Sequence, residues 1–596
     1  MRLNKILLKI SFQFVKELPL FCYVTLLFGL DLFRNIHGRM VFYDPRNTYF
    51  DLFCRFAGIL LLSWLVTAFV SYVNRRWLKV LAYTIVTILF AVTFFLEYVF
   101  AMSINPNLLV LLAETTPQES HEFINTFIIS GKSIIVYLGT FAIICMATGT
   151  EWLYKRPFFH RIKNKMERSR LLACTLCGLC MLGFWQSWKN YKSLITADNT
   201  EDISKWDGFG LRSSDPIGRL FYSWRGICIM KEEQRQFEQT MRNFDKSVTT
   251  VNTDSINVVL VIGESYIKHH SQLYGYPLQT SPLLIKEKEE GRLFVFQDAV
   301  SPFNLTSASI KNMLCTNSIA DHEHWSKSVF FPTLFQLAGF DVYMWDNQRD
   351  ESSNAGFAFA LNSFLYNDSL SSMTYTRVSN KQFQFDEGIV TSSNSIALPA
   401  KKNLIIYHLI GQHVQYNMRY PHTKQFEYFT SDSIKRKESY MDRKKRQEIV
   451  HYDNATRYND YVLSLIIEKF KKSNTIIVYL SDHGEEVYDY RNSMGRVADG
   501  MSLNQLRYQF EIPFIIWCSN SYIERHSTII KQMKKSLKRP FTTDLLPNLM
   551  LRLGEINTTY YHPDRDLISP EFIPRRRIVQ YTFNYDSIMG GRTIRH

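Results

Sequence analysis

Hydrophobic and polar positions divide the chain into two regimes. Before residue 190 the apolar residues come in long runs; beyond residue 255 they come in short β-branched runs separated by polar stretches. Five apolar segments occupy the first regime, at 17–32, 56–73, 81–102, 134–147 with its flanks, and 171–185. A hydrocarbon core of about 30 Å needs about 20 helical residues. The second and third segments approach that length, and the other three draw on their flanks. The pattern predicts a five-helix transmembrane domain over residues 1–190. No small-residue cleavage site follows the first segment, and others crowd behind it, so it is read as a span and not as a removed leader.

Residues 191–255 read as a linker with interfacial helices. The part from 231 to 246 mixes charge with scattered Phe and Met, which predicts a helix lying against the bilayer or the next domain. From Ile256 onwards, short apolar runs at 257–262, 293–297, 342–345, 404–408, 475–480 and 513–517 alternate with polar, helix-like segments. That alternation predicts an α/β domain over residues 256–596, a mostly parallel sheet with helices on both faces.

Charge adds an orientation. The 596 residues carry a formal net charge of +14. Nucleic acid is one explanation of such an excess, but anionic lipid and cytoplasmic loops explain it in a chain with these segments, and no nucleic-acid partner is expected. Arg2, Lys5, Lys9 and Lys16 precede the first segment, and Arg75, Arg76 and Lys79 follow the second. Lys155, Arg156, Arg161, Lys163, Lys165, Arg168 and Arg170 follow the fourth, whereas residues 103–131 contain no Lys or Arg. The positive-inside rule puts the N-terminus in the cytoplasm, and an odd number of spans delivers everything after Trp188 to the outer face. Of nine cysteines, only Cys228, Cys315 and Cys518 fall in that outer part, too few for a disulfide framework. Cys174, Cys177 and Cys180 have metal-like spacing, but in an apolar span they read as small packing residues.

Candidate chemistry sits at the ends of the predicted strands, where open α/β sheets bind ligands. The run 475–480 leads to Asp482-His483-Gly484, and carboxylate oxygen with imidazole nitrogen suits a borderline metal such as zinc. The run 257–262 leads to Gly263-Glu264. The run 293–297 leads into AVSPFNLTSASIKNML, where Thr306 or Ser307 is placed to cap a helix. The run 404–408 lies in IIYHLIGQHVQYNMRYP, with His408 and His413 five apart. Singly, each has a bland explanation: a turn Asp, a carboxylate at a helix start, a cap, a structural imidazole. Converging on one sheet edge, they make a metal-assisted nucleophilic site.

These segments also carry a resemblance. VVLVIGES with YGYPLQTSPLL behind it, NLTSASIKNML, YHLIGQH with YNMRYP, YDNATRYNDYV and LSDHGEEVYD together resemble the membrane-bound phosphoethanolamine transferases of the alkaline phosphatase/sulfatase superfamily. The likeness runs from the five spans to RRRIVQY near the C-terminus. It implies a sulfatase-like periplasmic domain on a bacterial inner-membrane anchor. The implied reaction transfers phosphoethanolamine from phosphatidylethanolamine to lipopolysaccharide (core or lipid A) or another envelope glycan, through a phospho-threonine intermediate. By position, Glu264, Thr306, Asp482 and His483 match the residues that hold a catalytic Zn2+, and Thr306 matches the nucleophile. His413 matches a residue that meets a second, transient zinc or the substrate phosphate, and His408 lies where the family has another His. In the outer loop LLAETTPQESHEF, Thr115 and Glu119 match a Thr and a Glu four apart beside the donor headgroup.

Two departures separate the chain from the lipid A branch of that family. No His occurs between His483 and His526, and the outer part has too few cysteines to form the branch's several disulfides. Both place the chain nearer the lipopolysaccharide-core branch. Arg491 and Arg496 fall where the extra His would be, and one of them is expected to face the phosphoryl group as a fixed cation. Two other readings remain: a glycerol-phosphate transferase of the lipoteichoic acid synthase type, with the same five spans and a Thr nucleophile, and a catalytically inactive membrane sensor or scaffold.

Overall fold

A computed structural model of the chain describes residues 12–37, 45–100, 104, 108–109, 128–129, 133–167, 169–197, 203, 216–251, 254–348, 364–366, 368–379, 381–394, 401–491, 494–496, 502–581 and 583–590. Two compact units divide the chain, Met1–Lys231 and Glu232–His596.

The first unit is helical, with α1 (Leu18–His37), α2 (Pro45–Val73), α3 (Arg76–Phe100), α4 (Ile134–Tyr154) and α5 (Arg170–Ile195). Among the described residues, four stretches are long and apolar enough to cross a membrane: Phe53–Val73, Arg76–Tyr98, Ile134–Tyr154 and Arg170–Trp188. The first expected span is shorter, Leu18–Leu30. Asp31 and Arg34 end its uncharged run. Leu65, Phe69, Ile85, Ile88 and Phe141 point outward, as in helices that are apolar on every side because lipid is their solvent. At one end of the bundle Lys79 bridges Glu17 at 2.8 Å and Glu151 at 2.6 Å. Helix α6 (Pro216–Asn243) follows, and its Phe237 and Met241 belong to the core of the second unit.

The second unit is built on a seven-stranded sheet of β1 (Ile256–Gly263), β2 (Leu293–Phe296), β3 (Asp341–Asp346), β4 (Arg377–Val378), β5 (Lys402–His408), β6 (Thr475–Ser481) and β7 (Phe514–Cys518). The spatial order is β2-β7-β6-β1-β5-β3-β4. From β6 to β4 every neighbour is parallel, while β7 runs antiparallel to both β6 and β2, so the sheet is mixed. Six strands coincide with the expected runs to within two residues. The seventh, β4, is two residues long and has no apolar run to announce it.

Alternation of side chains along the strands makes two cores. Val258, Leu260 and Ile262 join one with Ile406 and Val478; Val259 and Val261 join the other with Tyr407 and Tyr479. Both faces are covered, which is why these strands read as unbroken apolar runs. Full burial of each Val, Ile or Leu stabilises the fold by about 1.5–3 kcal/mol. Register then sets the site. Ile262 lies opposite both His408 and Leu480, and Asp346 lies opposite His408. The carboxyl ends of β3, β5, β1 and β6 are therefore level along one edge.

Candidate active site

Glu264 and Asp482 are the first residues beyond β1 and the residue after β6, side by side at that edge, and Asp482 N–H donates to the Gly263 carbonyl at 2.9 Å. The backbone there is tightly constrained. A Cβ at Gly263 would come within 2.4 Å of Tyr479 Oη. Gly411, at φ +46, lies so close to Glu264 that a Cβ would stand 2.8 Å from its carbonyl oxygen. Ser265 takes a left-handed φ of 58° despite its side chain, a local strain typical of functional sites. That turn lets its Oγ donate to Glu264 Oε1 at 2.6 Å and its N–H donate to Asp482 Oδ1 at 3.0 Å.

Helix α7 (Thr306–Leu314) brings the hydroxyl. Ile310, Met313 and Leu314 anchor it in the core. Neither Thr306 nor Ser307 caps it, contrary to the expectation: Leu305 occupies the cap position without a side-chain bond, and Thr306 is the first helical residue. Its hydroxyl is drawn instead to the sheet edge. Thr306 Oγ1 donates to Glu264 Oε2 at 3.0 Å and lies 3.2 Å from His483 Nε2.

Glu264, Asp482 and His483 are fully buried, and one donor atom from each lies within 4.8 Å of the others. His483 Nδ1 is engaged with the Gly484 carbonyl at 3.0 Å, which turns Nε2 toward the carboxylates. Asp482 Oδ2 has no hydrogen-bond partner and stands 3.0 Å from that Nε2. Two carboxylates, an imidazole nitrogen and a hydroxyl converging in this way fit a divalent cation, and the donor types and number suit zinc. The protein supplies a cation of its own alongside: Arg496 Nη1 contacts His483 Nε2, and Arg496 Nε pairs with buried Glu485 at 3.1 Å. Burial alone would raise the Glu264 carboxyl, but His483, His413 and Arg496 hold it well below the ordinary carboxylate range. Burial and Arg496 push His483 down, yet Asp482 and Glu264 outweigh them and leave it raised. The negative field that draws a proton to Nε2 draws a metal ion there in the same way.

The other expected residues divide. His413 is partly buried, with Glu264 among its electrostatic neighbours; burial first, then Arg419 and Arg496, push its imidazole below the ordinary value. His408 is wholly buried beneath the edge, held by Asp346 at 2.8 Å through Nδ1, with Nε2 unpartnered. Arg491 forms a two-pronged pair with buried Glu486, both contacts at 2.8 Å, so of the two arginines it is Arg496 that reaches His483. Thr115 and Glu119 lie outside the described residues. Sequence reading passed over Gln348, whose Nε2 donates to Glu264 Oε2 at 3.2 Å and to the Leu409 carbonyl at 2.8 Å. It stands two residues beyond β3, where the strand-end rule applied as well.

A family model described as Sulfatase matches residues 256–554. This chain belongs to the sulfatase family. It is 27% identical over 360 residues to phosphoethanolamine transferase EptC of Escherichia coli strain K12, a match covering 56% of this chain and 57% of that one. The match thus spans little more than half the length of that relative. Its fold is similar to the C-terminal periplasmic domain of EcEptC from Escherichia coli, with a TM-score of 0.50 and 25% identity over 58% of this chain and 97% of that one. It is also similar to the integral membrane protein lipooligosaccharide phosphoethanolamine transferase A (EptA) from Neisseria meningitidis, with a TM-score of 0.58 and 16% identity over 94% of this chain and 97% of that one. The last likeness concerns the fold alone.

Proposed function

We propose that this sulfatase-family protein is a phosphoethanolamine transferase of the bacterial inner membrane. It takes phosphoethanolamine from phosphatidylethanolamine and passes it to lipopolysaccharide (core or lipid A) or another envelope glycan, by way of Thr306. The observation that carries the reading is the Thr306 hydroxyl on Glu264 and His483, beside Asp482, at the carboxyl edge of the sheet. The similarity to phosphoethanolamine transferases supplies the transferred group.

In this reading Glu264, Asp482, His483 and Thr306 Oγ1 would hold Zn2+, which when bound would lower the pKa of the hydroxyl and offset phosphate charge. Thr306 Oγ1, its hydroxyl aligned by Glu264 Oε2 at 3.0 Å, bonds to the donor phosphorus and gives up its proton to His413, whose lowered pKa leaves the imidazole free to take it. The bond from phosphorus to the diacylglycerol oxygen breaks, and that oxygen takes the proton from His413. The acceptor oxygen then bonds to phosphorus and gives its proton to His413, the bond to Thr306 breaks, and Thr306 Oγ1 takes the proton back. Arg496 stands as a fixed charge for the phosphoryl oxygens. His408, locked by Asp346, supports the site from below. Thr115 and Glu119 are assigned to the donor ammonium group, for which a carboxylate is the natural partner.

The membrane arrangement belongs to the same reading: five spans counting α1, an N-terminus in the cytoplasm and the second unit in the periplasm. Support for the orientation comes from Lys79, whose pairs with Glu17 and Glu151 gather the basic segments around Lys16, Arg75 and Lys155 at one end of the bundle.

Intact-mass analysis of the detergent-solubilised chain, incubated with phosphatidylethanolamine, tests the reaction. We expect an added phosphoethanolamine on the peptide containing Thr306. Thr306→Ala is expected to abolish transfer while retaining about one zinc per chain through the three remaining ligands. Wild-type transfer by Thr306→Ala, with loss in Ser307→Ala, would move the nucleophile by one residue.

A further inference from the structure

Outside this site, the second unit contains a cleft of about 990 Å3 between the segment around residues 427–437 and the first turns of α8 (Arg443–Phe470). Five cationic side chains line it: Arg436, which pairs with Glu438 at 3.0 Å, and four others, Lys435, Lys437, Arg443 and Arg446. None of the four has a carboxylate partner among the described residues. Arg446 Nε is buried with no hydrogen-bond partner at all. The opposing charge is small. Glu427 is engaged with His422 at 2.8 Å, and Asp432 is exposed. Four neighbouring cations without counter-ions repel one another, so the cleft is arranged for an anion from elsewhere.

Its remaining lining narrows the class of anion. Ser431, Thr430 and Gln447 offer hydroxyl and amide groups at the surface, the kind that sugar hydroxyls need, while Tyr420 and Phe429 are buried beneath them. The cleft also rests on the same foundation as the active-site loops. Phe429, Ile434 and Val450 pack in one cluster with Tyr416 and Val487, and Tyr416 Oη donates to Glu485, the partner of Arg496, at 3.0 Å. Arg436, in the cleft wall, holds the Asp489 carbonyl at 2.7 Å, in the segment leading to Arg491 and Arg496.

We propose that this cleft binds a phosphorylated saccharide, and that it holds the acceptor glycolipid by a phosphate other than the reacting one. The inference rests on the transferase reading and names how that reaction selects its acceptor. A long anionic glycan anchored here at one point would have its reacting group held near Thr306, converting encounter into positioning.

The test uses the full chain in detergent, with Lys435→Gln, Lys437→Gln and Arg443→Gln combined. All three side chains are exposed, so the variant is expected to melt with the wild type. Transfer from phosphatidylethanolamine is measured to lipid A bearing two phosphates and to the same lipid bearing one. The proposal expects KM for the bisphosphorylated acceptor to rise about tenfold in the variant, with kcat within about twofold. It also expects the wild type to prefer two phosphates and the variant to lose that preference. A second readout needs no turnover: fluorescence polarisation of the labelled, deacylated bisphosphorylated disaccharide, weakened by the same factor. Equal KM and equal disaccharide binding in both proteins would overturn the proposal. So would a loss confined to binding of vesicles containing anionic phospholipid, which would assign the cations to a membrane surface. Failure of the transferase reading looks different, because the wild type would then release no diacylglycerol from phosphatidylethanolamine.

Discussion

Of two arginines five residues apart, one serves the chemistry. Arg496 reaches His483 and the Asn304 carbonyl, the latter at 3.4 Å, close to the nucleophile. Arg491 neutralises Glu486, which is fully buried. Arg496→Gln is therefore expected to lower turnover roughly a hundredfold, the usual effect of removing one fixed donor from a transition state, and also to lower the melting temperature, because it unpairs buried Glu485. Arg491→Gln should lower the melting temperature alone and keep turnover, because the carboxylate it unpairs, Glu486, is not bonded to the nucleophile or to His483. Steady-state rates and thermal melts of both variants decide it; equal rate losses would place both side chains on the substrate. At this scale the sequence was legible wherever a polar residue directly follows an apolar run, as with Glu264, Asp482 and His483. Gln348, two residues beyond β3, fell under the same rule and was passed over; the choice of arginine was illegible, since that contact depends on how a loop returns to the edge. Ser265 shows the same limit, because its left-handed turn has no signature in the letters G-E-S.

Among the elements, α8 is tied to the catalytic edge by a buried clasp. His270, in the turn after β1, meets Asp453 of α8 at 2.6 Å through Nδ1 and Asp489 at 3.0 Å through Nε2. Tyr276 donates to the other oxygen of Asp453, and Arg436 lies 3.9 Å from Asp489. Burial disfavours the imidazolium, but Asp453 and Asp489 more than offset it and push His270 up to about 10 from 6.5. A group raised on folding contributes its full stability below its unfolded value and loses it as pH rises through the folded one. The clasp should thus hold fully below about pH 6.5 and weaken progressively towards pH 10. Melting temperature of the wild type is expected to fall across that window more steeply than that of His270→Gln; parallel curves would show that the clasp is neutral. Apolar runs gave the strands their place in the sequence. The reversed direction of β7 did not show, because a run of the form FIIWC is equally apolar in either direction, and β4 is too short to leave a pattern.

For the whole molecule, the strongest regularity is the change at residues 190–255 from long apolar runs to short ones. It was visible from composition alone because lipid and water select different patterns, and the two compact units follow it. A reporter enzyme fused after Ala197 is expected to be active outside the cytoplasm, and one fused at Lys163 inside it. Activity of the Ala197 fusion in the cytoplasm would place the second unit on the wrong side for an envelope glycolipid. What composition did not show was the length of α6, a continuous helix of 28 residues from Pro216 to Asn243, where charge with scattered Phe and Met predicted a helix only over 231–246. Its Phe237 and Met241 are core contacts of the second unit.

The margins of the sheet carry a last consequence. Its middle strands are seven or eight residues long around apolar runs of VVLVI, LIIY and IIVYL, the composition that templates aggregation when an edge is open. The two strands at the rims are only four and two residues long. A second chain arriving at either rim finds too few free backbone groups to continue the ladder. The sheet is thereby guarded against self-association by truncation at its borders, with no charge required in its sticky centre.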